Sequence, residues 1–205
     1  AFSPEEDYEL FSPVHLIYNS ERDHISVGSD LLNTETVRSV QMSITKDRKV
    51  REIYLMKDYS QILALTQPSS QSCLQTIDGQ NPIYSPREWS RIPEIGASSQ
   101  IDQILTDAEP HTPDSAIFGN EPQHGWCYFY QKIALAQQQE SWEEVVRIGE
   151  EAIAAGTHGE DPVEWLPLVQ AYAYSGRYDD AKPYGEILKT DDYLKFETCR
   201  YFQNA

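Results

Sequence analysis

The sequence predicts an α+β chain in which the two kinds of structure are segregated along the length. Three observations carry that expectation. Short β-branched and aromatic runs alternate with polar turns over residues 14–78, prolines recur over 79–121, and apolar residues fall at helical spacing from Trp126 onward. The implied order is an extended arm (1–13), a small antiparallel β meander or sandwich (14–78), a Pro-rich wrapping linker (79–121) and a helical domain (122–205).

The arm holds Pro4, Pro13 and the acids Glu5, Glu6 and Asp7. In the β region, residues 15–18 form an apolar run ending at the turn signal Asn19-Ser20. Residues 37–44 are rich in β-branched side chains, and 46–49 read as a charged turn. Residues 51–56 and 61–66 follow, with 73–77 as one more strand. Runs of this length and composition between polar turns fit strands. The linker is interrupted by Pro82, Pro86, Pro93, Pro110, Pro113 and Pro122, and Ile101, Ile104 and Leu105 space a short helix within 99–107. A connection this long wraps over a neighbouring surface rather than dangling.

The helical part opens with Trp126, Phe129, Tyr130, Ile133, Ala134 and Ala136, one helix over 126–139. Ser141-Trp142-Glu143-Glu144 reads as a capping box, starting a second helix that stops at Gly156. Asp161 as cap and Pro162 at the first helical position start a third, which ends at Ser175-Gly176. A fourth covers 179–188, with Pro183 in or near its first turns. Asp191 or Asp192 caps a last helix with Tyr193, Phe196 and Cys199 expected inward.

Trp142 and Tyr178 each follow an interhelical turn, and each precedes two acids and a small or β-branched residue. With Trp165, Leu168, Ala171-Tyr172, Gly176 and Ala181, the pattern over 126–189 resembles tetratricopeptide hairpins. That resemblance implies close-packed helix pairs whose concave face holds a protein or peptide near Tyr130, Trp165, Tyr172 and Tyr174. Two hairpins are fewer than the roughly three repeats that usually stand alone. One end therefore needs a cover from the β region, the final helix or a partner.

A second resemblance rests on Phe118-Gly119, Glu121-Pro122, His124-Gly125-Trp126-Cys127-Tyr128, and Pro68 with Cys73-Leu74 upstream. It is similar to the soluble C-terminal extracytoplasmic region of bacterial multi-pass membrane proteins. The membrane portions of those proteins are related to dolichyl-phosphate-mannose-type glycosyltransferases. The resemblance implies an extracytoplasmic or cell-surface location, with the membrane reached through a segment outside this chain or through a partner. A cytoplasmic location stays open. Any glycosyltransferase site would lie in the membrane portion, so no catalytic residue carries over.

Acidic residues outnumber basic ones 33 to 16, a formal charge of -17, which disfavours nucleic acid and anionic lipid. A basic or neutral protein partner, or self-association, suits that surface; a glycan is the alternative ligand. Neither G-x-G-x-x-G nor G-x-x-x-x-G-K occurs, so no cofactor is expected. The acid pairs Glu143-Glu144, Glu150-Glu151 and Asp179-Asp180 read as solvated helix surface rather than a glycosidase pair. His111, His124, Cys73 and Cys127 lack the paired short spacing of a zinc site, so no metal is expected. Residues 119–125 read as a rigid turn with Glu121 near a helix N-terminus, or else as a ligand-contacting rim with His124. A Cys73–Cys127 disulfide would suit an oxidising compartment, while three reduced thiols, counting Cys199, are the preferred reading.

Overall fold

The computed structural model describes residues 28–50, 53–104, 106 and 112–204. The expected arm and the run at 15–18 lie outside the described residues. The chain is a mixed α+β protein that divides into two units interleaved in sequence. The first takes residues 1–64, 76–83 and 89–122; the second takes 65–75, 84–88 and 123–205.

In the first unit, helix α1 (Thr34–Gln41) stands where the β-branched run at 37–44 predicted a strand. Asn33 decides the matter. Its side-chain oxygen accepts from the N–H of Glu35 at 2.8 Å and of Thr36 at 3.0 Å, satisfying donors that a helix start leaves open. Val37 and Val40 then fall on one buried face. Strands β1 (Thr45–Val50) and β2 (Ile53–Asp58) pair antiparallel, from Thr45 opposite Asp58 to Val50 opposite Ile53. The charged residues 46–49 thus lie inside a strand and not in a turn. Asp47, Lys49, Tyr54 and Met56 share one face of this ribbon and are exposed, so charge there has no core to disrupt.

The rest of the expected meander is shorter than its apolar runs suggest. Among the described residues only β3 (Leu65–Thr66) and β4 (Gln75–Thr76) form besides the ribbon, paired with each other. Around Ile62 and Ala64 the backbone groups find loop partners instead. Gln100 N donates to Ile62 O at 2.8 Å, Ala64 N to Ser99 Oγ at 2.9 Å, and Ile77 N to Ala64 O at 3.0 Å. Buried main-chain groups need partners, and a loop supplies them as well as a ladder does. The first unit is completed by α2 (Ile92–Gly96), a 3₁₀ turn at Ile101–Gln103 and α3 (Ser115–Phe118). Among the described residues of 99–107, where a helix was expected, that single turn is the helical part.

The second unit holds two helical hairpins and a closing helix. They are α4 (Trp126–Gln138), α5 (Trp142–Ala154), α6 (Leu166–Tyr174) entered through a 3₁₀ turn at Pro162–Trp165, α7 (Tyr178–Leu188) and α8 (Asp192–Asn204). Gly156 and Gly176 stop α5 and α6 with φ of 75° and 67°, a conformation that favours glycine. Ser141 makes no side-chain cap; Glu144 pairs with Arg147 at 2.6 Å instead of reaching back. The last helix is turned from the expected phase. The Asp191 carboxylate caps it by accepting from Tyr193 N and Leu194 N, both at 3.0 Å. Leu194, Glu197 and Tyr201 then face inward, while Tyr193, Phe196 and Cys199 are exposed. Helix α8 packs on α6 and α7 and so covers one end of the hairpins. No described helix is long and apolar enough to cross a membrane.

Close approach between hairpins rests on Gly149 in α5. A Cβ there would lie 2.6 Å from Leu168 Cδ1, and Leu168 is itself fully buried. Gly149→Val should therefore lower stability by about 1–3 kcal/mol through overpacking, while helix propensity returns only a few tenths. Urea unfolding monitored by circular dichroism would measure the loss.

Candidate functional site

The second unit contains a buried polar clasp and an exposed aromatic edge. The clasp begins at the cap of the 3₁₀ turn, where Asp161 and Glu164 are 0% and 1% exposed. Asp161 Oδ2 accepts from Ser72 Oγ at 2.9 Å and Ser85 Oγ at 2.7 Å, and Oδ1 accepts from Val163 N at 3.3 Å. Glu164 Oε1 accepts from Cys73 N at 2.7 Å, and Oε2 from Trp126 Nε1 at 2.8 Å. Two carboxylates thus fasten the extended pieces 65–75 and 84–88 against the helices. Gly159 completes the fit, since a Cβ there would lie 2.8 Å from both Glu164 Oε2 and Trp126 Nε1.

Burial pushes the Glu164 carboxyl above its ordinary value, with the two N–H donors pulling the other way. Burial, and the nearby Glu164 and Asp161 charges, likewise push the Tyr130 phenol up. Beside the clasp Cys73 and Cys127 are joined by a disulfide across 54 residues, correcting the expectation of reduced thiols. In chain-entropy terms a loop of that length contributes about 4 kcal/mol.

The aromatic edge forms where the first helix of each hairpin ends and the second begins. Trp142 and Tyr178 open α5 and α7, Tyr174 closes α6, and Tyr201 and Phe202 lie in the last turn of α8. Trp142 meets Tyr174 edge-on at 4.8 Å, Tyr174 meets Tyr201 at 6.5 Å, and Tyr178 meets Phe202 at 5.8 Å. Tyr174, Tyr178 and Phe202 remain 37%, 49% and 37% exposed. The adjoining cations are matched: Arg177 bonds Glu150 and Asp180, each at 2.7 Å, and Arg200 pairs with Glu197 at 2.6 Å.

No family model, curated protein or solved structure matches this chain.

The six binding residues expected from sequence fall in different places. Tyr130, Trp165 and Tyr172 are buried and offer no face to a ligand. Trp165 lies 4.4 Å from Trp126 and stacks on Tyr184 at 5.0 Å; Tyr172 stacks on Tyr184 at 6.1 Å, so these rings build the core. The Tyr172 phenol is pushed up to about 12, by burial first and then by the Glu150 charge. Tyr174 alone joins the exposed edge. His124 is exposed and stacks on Tyr128 at 3.5 Å, with Lys132 Nζ 4.5 Å from the same ring. Glu121 is exposed and belongs to the other unit. Sequence reading missed the second role of Asp161, visible only as a helix cap, and nothing in sequence tied it to Ser72 or Ser85.

Glu164→Ala would orphan two buried N–H donors and should cost on the order of 3 kcal/mol, with Glu164→Gln costing less. Because the folded carboxyl is raised, its stabilising contribution is complete below the unfolded value of 4.5 and is lost as pH rises through the folded one. The stability lead of the native protein over Glu164→Gln should therefore be greatest in acid and shrink toward neutrality. Chemical denaturation of both proteins between pH 4 and pH 7 under non-reducing conditions measures the trend.

Proposed function

We propose that this chain is a non-catalytic module for protein–protein interaction or assembly, acting outside the cytoplasm or at the surface of a bacterial cell. The observation that carries the reading is the exposure of Tyr174, Tyr178 and Phe202 at helix ends, with Tyr178 against Phe202 and Tyr174 against Trp142 and Tyr201. Exposed aromatic side chains are the usual anchors of recognition sites, where they dominate the energy. The buried carboxylates support the same reading, because their oxygens are spent on holding the chain's own segments.

The helical unit follows a tetratricopeptide-like plan in this proposal. Ala152, Ala171, Ala173 and Ala181 are all buried to 1% exposure or less, and small residues of that kind let neighbouring helices approach. The ligand is a protein or peptide with apolar anchors and a neutral or basic flank, met at the hairpin edge rather than on buried Trp165 and Tyr172. The disulfide supports an oxidising compartment. An accessory glycan-binding role beside a membrane-bound glycosyltransferase is the second reading, favoured by Trp89, which is 52% exposed.

Triple replacement of Tyr174, Tyr178 and Phe202 by Ser should lower stability by roughly 0.5–1.5 kcal/mol per lost ring contact, so the variant is assayed well below its melting transition. It should also cut cross-linked capture of envelope proteins by about tenfold, equivalent to roughly 1.4 kcal/mol. Sedimentation over a concentration series separates self-association from a foreign partner. Undiminished capture together with an unchanged sedimentation coefficient would count against this edge.

A further inference from the structure

The first unit carries a groove of about 410 Å³, walled by the end of α1, the residues after β2, the turn at 78–80 and the loop at 97–102. Its walls are tied to one another. Gly79 N donates to Ser99 O at 3.1 Å, Gln100 N to Ile62 O at 2.8 Å, and Gln100 Nε2 to Ser60 O at 2.8 Å. Glycine is required at 79, where a Cβ would stand 2.2 Å from Ser99 O. The groove is therefore held by two main-chain bonds and one side-chain bond of its own walls and does not depend on a ligand to form.

Its volume falls in the roughly 300–1,000 Å³ range of small-ligand sites, but its chemistry is unlike the usual apolar pocket. Among the described residues Ser43, Ser60, Ser98, Ser99, Gln80 and Gln100 line it with Asp78 and Asp102, and no Lys, Arg or His does. Two lining carboxylates argue against phosphate or carboxylate ligands, which need charge-assisted donors and would meet like charge here. A largely polar wall gives a hydrophobic ligand nothing for its desolvation and penalises its own. Six neutral hydrogen-bonding side chains against two carboxylates favour hydroxyl groups, which both donate and accept, over a bare ammonium.

We propose that this groove binds a small neutral polyhydroxylated ligand, a single saccharide unit or polyol. Asp78 and Asp102 accept from ligand hydroxyls, and Ser43, Ser98 and Gln80 donate to them, while Ser60, Ser99 and Gln100 are engaged in holding the walls. The site is separate from the aromatic edge of the helical unit, and its occupation does not require that edge to function.

Amide NMR of the full chain, titrated with glucose, N-acetylglucosamine and glycerol, tests the assignment, with spermidine and inorganic phosphate as contrasts. A saturable response to at least one sugar or polyol is expected in the amides of 78–80 and 97–102. Ser98→Trp, on an exposed rim position, should weaken it by about tenfold or more. Asp102→Ala, also exposed, should weaken it severalfold and serves if the Trp variant misfolds. The serine triple variant at 174, 178 and 202 should titrate like the native chain. No saturable response to any of the three probes would overturn the proposal. So would a response to spermidine or phosphate in their place, or a sugar response indifferent to both groove variants.

Discussion

Asp161 and Glu164 are buried within one helical turn of each other, and that proximity sets a condition on the rest of the helical unit. A carboxylate taken out of water costs several kcal/mol unless donors replace the lost hydration. The helices cannot supply them all, because their own N–H groups are committed to the backbone ladder. The donors come instead from Ser72, Ser85 and the Cys73 amide, with Trp126 from the start of α4. Segments distant in sequence are in this way made integral to the hairpins. The clasp also holds Cys73 beside the Cys127 end of α4, where the disulfide fixes the same approach covalently. The two devices are cooperative in kind: one restrains the unfolded chain, the other satisfies charge in the folded one.

How much of this was legible in the sequence follows from the range of the forces involved. The helices were readable because a 3.6-residue apolar period reports a local fact, and Gly156 and Gly176 mark their ends through backbone conformation alone. The strand expected at 37–44 failed for an equally local reason: the Asn33 cap outweighs the modest β preference of Val37, Val40 and Ile44. The charged residues 46–49 were misplaced because a ribbon with an exposed face imposes no apolar alternation on that face. For α8 the error was one of phase. Asp191 fixes the first turn, and that choice rotates Leu194 inward and Phe196, 65% exposed, outward.

The site was less legible than the fold. Aromatics at the inner positions of a helical hairpin satisfy two readings, packing and binding, and their spacing does not separate them. Trp165 and Tyr172 went to packing because Tyr184 and Trp126 close over them. Tyr174 lies two residues beyond Tyr172 on α6, about 200° around the helix, which brings it to the rim. Nothing in the residue type distinguishes the two; the angular step does.

The same step explains why the exposed aromatics collect along one edge. Trp142 and Tyr178 occupy equivalent starts of α5 and α7, where Trp142 meets Tyr174 from the end of α6 and Tyr178 meets Phe202 from the end of α8. A solvent-facing aromatic contributes little to folding unless it is covered, yet here each one already touches a neighbour. Those contacts hold the rings in place and reduce the side-chain entropy a partner would otherwise have to remove on docking. Beside them the Arg177 and Arg200 charges are already held in ion pairs. In the interaction proposed above, apolar contact at this edge, rather than the net charge of -17, would set the affinity.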